Sequence, residues 1–81
     1  MKSLNDLKIG ETATVHKLLA TGSMRQRLLD IGLIENTKVK CVAKSPSGDP
    51  KAFLIRGAII AIRSENCSEI LIKNTEVGPW D

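Results

Sequence analysis

Two short apolar segments, Ala52 to Arg56 and Ile59 to Arg63, stand with only Gly57-Ala58 between them, and Gly48-Asp49-Pro50 introduces them. A two-residue, glycine-first loop between β-branched runs fixes a β-hairpin and its register more tightly than any other feature of this chain. Gly57 at the first central position suits a type II′ turn, which needs positive φ there. That turn sets Arg56 against Ile59, Ile55 against Ile60, Leu54 against Ala61 and Phe53 against Ile62. Alternation then gives a core face of Phe53, Ile55, Ile60 and Ile62. The opposite face carries Leu54, Arg56, Ile59, Ala61 and Arg63, so it is apolar where water is expected.

The remaining elements follow from shorter signals. Ser3 to Leu7 forms one capped turn, and Thr12 to Leu19 reads as a first strand. Residues 23–31 are the principal helix. Ser23 with Gln26 three residues on makes a capping box, and Met24, Leu28 and Ile31 form the buried stripe. Arg25, Gln26, Leu29 and Asp30 lie elsewhere around it, and Gly32 closes it in the left-handed region. Asn36 turns the chain into a second strand over Lys38 to Ala43, with Val39 and Cys41 inward. After the hairpin, Ser64 caps a short turn. A last strand over Glu69 to Lys73 points Ile70 and Ile72 inward.

Five short strands and one helix in 81 residues allow a single core. The expected fold is mainly β: a small SH3-like barrel, with the helix inserted after the first strand. Residues 1–74 form the domain and 75–81 a tail, in which Trp80 tucks into a groove or stays exposed. An OB-fold is the rival by strand count, but there the helix follows the third strand. Phe53 and Trp80 are the only aromatics, so aliphatic residues build the core. No run approaches the ~20 apolar residues of a membrane span, and the amino terminus lacks the apolar region of a secretory signal. No direct membrane insertion is expected.

Residue chemistry excludes more than it offers. The net charge of +3 is interspersed apart from Lys38, Lys40 and Lys44, without the dense basic stripe or stacking aromatics of a nucleic-acid binder. His16 is the one histidine, and Cys41 and Cys67 lack C-x-x-C spacing, so no intrinsic metal site or cofactor is expected. No nucleophile motif or phosphate loop is present, and enzyme activity is not expected. Asp49 reads as turn chemistry rather than a ligand. Proline-rich peptide binding needs an aromatic groove that this composition cannot line. A protein-binding surface survives. Its first candidate is Leu54, Ile59 and Ala61, rimmed by Arg56 and Arg63, unless the helix or a terminus covers them. Its second is the outer helix face at Arg25, Gln26 and Leu29.

Arg27-Leu28-Leu29-Asp30-Ile31-Gly32-Leu33, then Val39, Pro46 with Gly48-Asp49-Pro50, Arg56-Gly57 and Ile60-Ala61-Ile62-Arg63 resemble the FeoA family in order and spacing. The resemblance runs from about Leu4 to Lys73. It implies an SH3-like barrel with helical insertions, in a small cytosolic accessory protein of bacterial ferrous iron uptake. It also implies a partner, the membrane transporter FeoB with its cytosolic GTP-binding domain, which would recruit the chain to the inner face of the membrane. The carboxy-terminal module of iron-dependent repressors of the diphtheria toxin repressor type is similar, and here no helix-turn-helix precedes it. Two departures are Asn36 for the usual glycine and Ser47 for an apolar residue. The alternatives are a regulatory or nucleic-acid-binding small barrel, and a domain that self-associates through its hairpin face.

Overall fold

The hairpin is present, but its turn lies one residue earlier than expected. The computed structural model describes residues 2–77. In it β3 (Lys51–Ile55) and β4 (Ala58–Ile62) flank Arg56-Gly57 rather than Gly57-Ala58. Both turn residues have positive φ, 50° and 84°, the pattern of a type I′ turn. The pairs become Ile55 with Ala58, Leu54 with Ile59, Phe53 with Ile60, Ala52 with Ala61 and Lys51 with Ile62. This register keeps the whole uncharged Ala58–Ile62 run in the ladder and sends the guanidinium of Arg56 to the tip. Each residue has moved two places against its partner, an even shift, so no side chain changes face. Phe53, Ile55 and Ile62 are buried as expected, while Ile60 is only half-buried. Ile60 sits on an edge strand, where one flank has no neighbour in the sheet.

Three further strands complete one antiparallel sheet: β1 (Glu11–Leu18), β2 (Lys38–Lys44) and β5 (Ile70–Val77), in the order β4-β3-β2-β1-β5. Register irregularities in β1 and β2 bend it. The bent sheet wraps a core that includes Leu4, Leu7, Val15, Val39, Cys41, Phe53, Ile55 and Ile70. β5 runs past the expected boundary at residue 74, because Glu76 and Val77 still pair with Thr12 and Glu11 of β1. Trp80 lies outside the described residues.

The amino-terminal segment covers the opening of the sheet. A 3-10 turn, Leu4–Asp6, is capped reciprocally: Asn5 N–H donates to Ser3 Oγ at 3.2 Å, and Ser3 N–H donates to Asp6 Oδ2 at 2.9 Å. Ser3 bridges to Leu71 of β5. On the other side, Lys51 Nζ donates to the carbonyls of Asn5 and Leu7, at 2.7 and 3.2 Å. The segment is thus tied to β5 and to the start of β3, which closes the SH3-like barrel without a continuous ladder.

Helix α1 (Gly22–Asp30) starts one residue before the expected position, and its amino-terminal cap is Thr21, whose side chain makes no capping bond. The Ser23–Gln26 capping box is therefore absent. Gly22, at φ 62°, turns the chain sharply into the helix, so Ser23 lies inside the first turn and not at its boundary. The Gln26 amide instead donates to Asp30 Oδ1 at 2.9 Å. The exit is as expected. Gly32 has φ 103°, Gly32 N–H donates to the Leu29 carbonyl at 3.0 Å and Leu33 N–H to that of Leu28 at 3.1 Å. These are the two bonds of a Schellman motif, with Leu33 and Leu28 as its buried apolar pair. Only Leu28 of the helix is fully buried; Met24, Leu29 and Ile31 pack partly against the core. Asn36 takes φ 74°, the left-handed role expected of it.

Asp49 does more than turn the loop. The hydroxyls of Ser45 and Ser47 donate to its carbonyl, at 2.7 and 3.1 Å. Its carboxylate accepts from Ser64 N–H at 2.8 Å and Ser64 Oγ at 3.1 Å. Ser64 opens the short α2 (Ser64–Cys67), whose own amino-terminal cap, Arg63, offers no side-chain bond. A carboxylate fifteen residues away in sequence therefore supplies the cap. Asp49→Ala is expected to cost about 1–2 kcal/mol and Asp49→Asn less, because the amide retains one acceptor. Urea unfolding of the three proteins checks this, and an unchanged midpoint for Asp49→Ala would remove the carboxylate from the account of α2.

Candidate functional site

The outward hairpin face is built by cross-strand rows. Lys40 of β2, Leu54 of β3 and Ile59 of β4 lie side by side in one row, and Ala43, Ala52 and Ala61 in the next. Side chains in adjacent rows on one face alternate every two residues, so Leu54, Ile59, Ala52 and Ala61 meet as one apolar group. Leu54 is half-buried, whereas Ala61 is exposed and Ile59 is 69% exposed. Neither α1 nor the amino-terminal segment covers Ile59. Lys40 bounds the patch on one side, and exposed Arg63 follows β4.

Arg56 is not a rim residue of that patch. It occupies the turn, where its aliphatic stem lies on Gly32: a Cβ built on Gly32 would stand 2.7 Å from Arg56 Cδ. The hairpin tip thus rests on the carboxy-terminal end of α1, where a cation also meets the negative end of the helix dipole. Arg25, of the second candidate face, donates from Nη1 to the Leu18 carbonyl at 3.3 Å, tying α1 to the end of β1. Leu29 is half-buried against the core. Both are engaged within the domain, and Gln26 with Asp30. The structural residues Leu28, Gly32, Gly48 and Gly57 fall at the helix exit and in turns, Gly48 at φ 90°.

A groove that the sequence did not announce runs along β4. It has a volume of about 610 Å³, with Met24 and Leu28 of α1 and the capping Ile31 on one wall and Ile60 and Ile62 of β4 on the other. Arg27, Asp30, Ala61 and Arg63 also line it. The groove exists because α1 buries only one residue fully, leaving its partly covered apolar stripe facing the edge of the sheet.

The groups that could do chemistry are dispersed or held neutral. Cys41 and Cys67 are free and fully buried. Burial pushes the Cys41 thiol up and the Cys67 thiol to about 11, against some opposition from Lys51. Cys67 Sγ donates to the Ile62 carbonyl at 3.5 Å. Neutral thiols are weak nucleophiles and poor metal ligands. His16 is half-buried with Nδ1 unpartnered, and it lines a small cavity with Lys17, Arg25 and Glu35. Among the described residues no three His, Cys, Asp or Glu side chains converge. No helix of the described residues is long and apolar enough to cross a membrane.

Comparison with known proteins agrees with this geometry. The family profile described as FeoA domain matches residues 2–74. The solution structure of an FeoA protein from Chlorobium tepidum is 31% identical, with a TM-score of 0.82 over 88% of this chain and 68% of that one. FeoA from Stenotrophomonas maltophilia, complexed with zinc and described as a prokaryotic SH3 domain protein, is 22% identical. Its TM-score is 0.85 over 95% of this chain and 98% of that one. IdeR from T. acidophilum shares the fold at 22% identity and a TM-score of 0.76, with this chain matching 88% of itself but 32% of that protein. No curated protein sequence matches this chain.

Proposed function

From the premise that this chain belongs to the FeoA family, a family of ferrous iron transport, we propose that it acts by docking, not by chemistry. Its partner in this reading is the cytosolic GTP-binding domain of an FeoB-type membrane transporter, and the chain works in the cytoplasm against the inner face of the membrane. The observation that carries the proposal is Ile59, 69% exposed beside Leu54 and Ala61 on a rigid hairpin. An uncovered apolar group with cationic neighbours is the composition of a contact centre and its rim. Both cysteines are buried, and among the described residues no three His, Cys, Asp or Glu side chains converge.

A docked module changes a transporter only if it binds the two nucleotide states unequally. The reading therefore predicts that saturating protein alters nucleotide affinity or turnover by the isolated GTP-binding domain. It also predicts that Ile59→Asp weakens binding by about thirtyfold or more, the cost of a charge in the centre of an apolar contact. Calorimetry and a turnover assay measure both. An unchanged nucleotide affinity and rate at saturation, or an Ile59→Asp protein that binds like the parent, would sink it.

A further inference from the structure

We propose that the free edge of β4 accepts an extended segment of a partner protein as a sixth strand, laid in the groove beneath α1. The segment is apolar at its centre and carries carboxylates at its ends. That the partner is the transporter rests on the reading above; the strand-acceptor site does not.

The backbone supplies the first argument. The pair flanking a two-residue turn, Ile55 with Ala58, exchanges both ladder bonds, and antiparallel bonding then alternates along the hairpin. Phe53–Ile60 and Lys51–Ile62 are bonded pairs, so the N–H and C=O groups of Ile59 and Ala61 point away from β3. β4 is an edge strand of the sheet, and among the described residues no turn, loop or cap takes those groups. The edge ends at Arg63, whose carbonyl accepts from Asn66 and Cys67. Exposed edges are usually blunted by a charge, a proline or a bulge, and Ala58–Ile62 has none of these. The groove lies along this same edge, since residues of both faces of β4 line it. A strand placed there would meet unpaired backbone on one side and the apolar flank of α1 on the other, the arrangement of β-strand addition.

Charge selects the occupant. Arg56 stands in the turn two residues before β4 begins, Arg63 immediately follows it, and Arg27 lines the helix wall. The one carboxylate of the lining, Asp30, already accepts from Gln26. A second copy of this chain fits poorly. Antiparallel pairing of β4 with itself about Ile60 would set Arg63 of each copy opposite Gly57 of the other, one residue from Arg56, so cations gather at both ends of the pair and no carboxylate of the strand offsets them. A segment ending in Asp or Glu meets the same arginines favourably. Among the described residues a proline-rich ligand finds no aromatic platform, because Phe53 is buried.

The probe is an acetylated, amidated peptide, Glu-Asp-Ile-Val-Thr-Val-Ile-Asp-Glu, with a control in which lysines replace the acids. Amide exchange by NMR is expected to slow at least about tenfold at Ile59 and Ala61 on binding the acidic peptide, and to change little at Ile60, whose amide is already in the ladder. Ala61→Pro removes an outward donor without touching a ladder bond. It is expected to weaken binding by about tenfold or more while the Phe53 and Ile60 signals persist. The proposal is overturned by absence of binding at millimolar peptide, by binding without protection at Ile59 and Ala61, by equal affinity for the lysine control, or by protection that rises with protein concentration alone. The GTP-binding domain separates the two readings. If it binds Ala61→Pro as tightly as the parent, strand addition by that partner fails and the partnership stands. If only the peptide binds, the acceptor edge stands and the partnership fails.

Discussion

Phe53→Ala is expected to cost about 3–5 kcal/mol, the range for removing a fully buried aromatic side chain. A domain of 81 residues has roughly 4–12 kcal/mol in all, so the loss is from about a quarter of that stability to all of it. Phe53 has no exposed surface and sits in β3 between Cys41 of β2 and Ile60 of β4. It is the one phenylalanine of the chain, and the rest of the described core is aliphatic apart from Cys41 and Cys67. Among the described residues no other buried side chain is as bulky as the one removed. Ile60 alone has room to relax, because it is half-buried on an edge strand, and its movement would recover only part of the contact. Phe53→Leu should cost about 1.5 kcal/mol or less, since it retains most of the volume. Urea unfolding with a common slope measures both. A loss below about 1 kcal/mol for the alanine variant would mean that β3 is not the centre of the core.

The faces of the hairpin were legible from sequence because they depend only on parity. Its register was not, because Gly57 fits a two-residue turn at either central position. The observed choice goes with a contact distant in sequence: Arg56 takes φ 50° with its stem lying on Gly32. The same limit explains α2. A local rule looks for its cap within the turn, whereas the carboxylate comes from Asp49, in the loop that enters β3 beside the end of β4. It also explains Ser23, whose capping potential is cancelled when Gly22 starts the helix earlier. Leu54, Ile59 and Ala61 could be placed on one face by alternation, and the structure adds that Ile59 is uncovered. The groove along β4 had no sequence signature. It is a space left between two elements, and only their relative placement creates it.

Gly32→Ala is the second large effect, expected at about 2–3 kcal/mol, and it tests the contact that goes with the register. Two costs combine. A Cβ at φ 103° is strained whatever surrounds it, by about 1–2 kcal/mol. The same Cβ would also stand 2.7 Å from Arg56 Cδ and 3.0 Å from Arg56 Nε, so the arginine must leave the end of α1. Arg56 is exposed and free to swing out, which keeps the steric part near 1 kcal/mol. In an Arg56→Ala background that part vanishes, and the cost of Gly32→Ala should fall to the backbone strain alone. The double-mutant cycle should therefore show a coupling of about 1 kcal/mol, well above the scatter for independent sites. Urea unfolding of the four proteins reads it directly. A coupling below about 0.3 kcal/mol would mean that the hairpin tip and the helix exit do not hold one another. With the predicted coupling, moving Arg56 would also loosen α1 against β4, because α1 is fixed elsewhere mainly by Leu28 and by the Arg25 bond to Leu18. Gly32→Ala should then weaken binding in the groove beyond its effect on stability, while Ile59→Asp weakens binding with stability nearly unchanged.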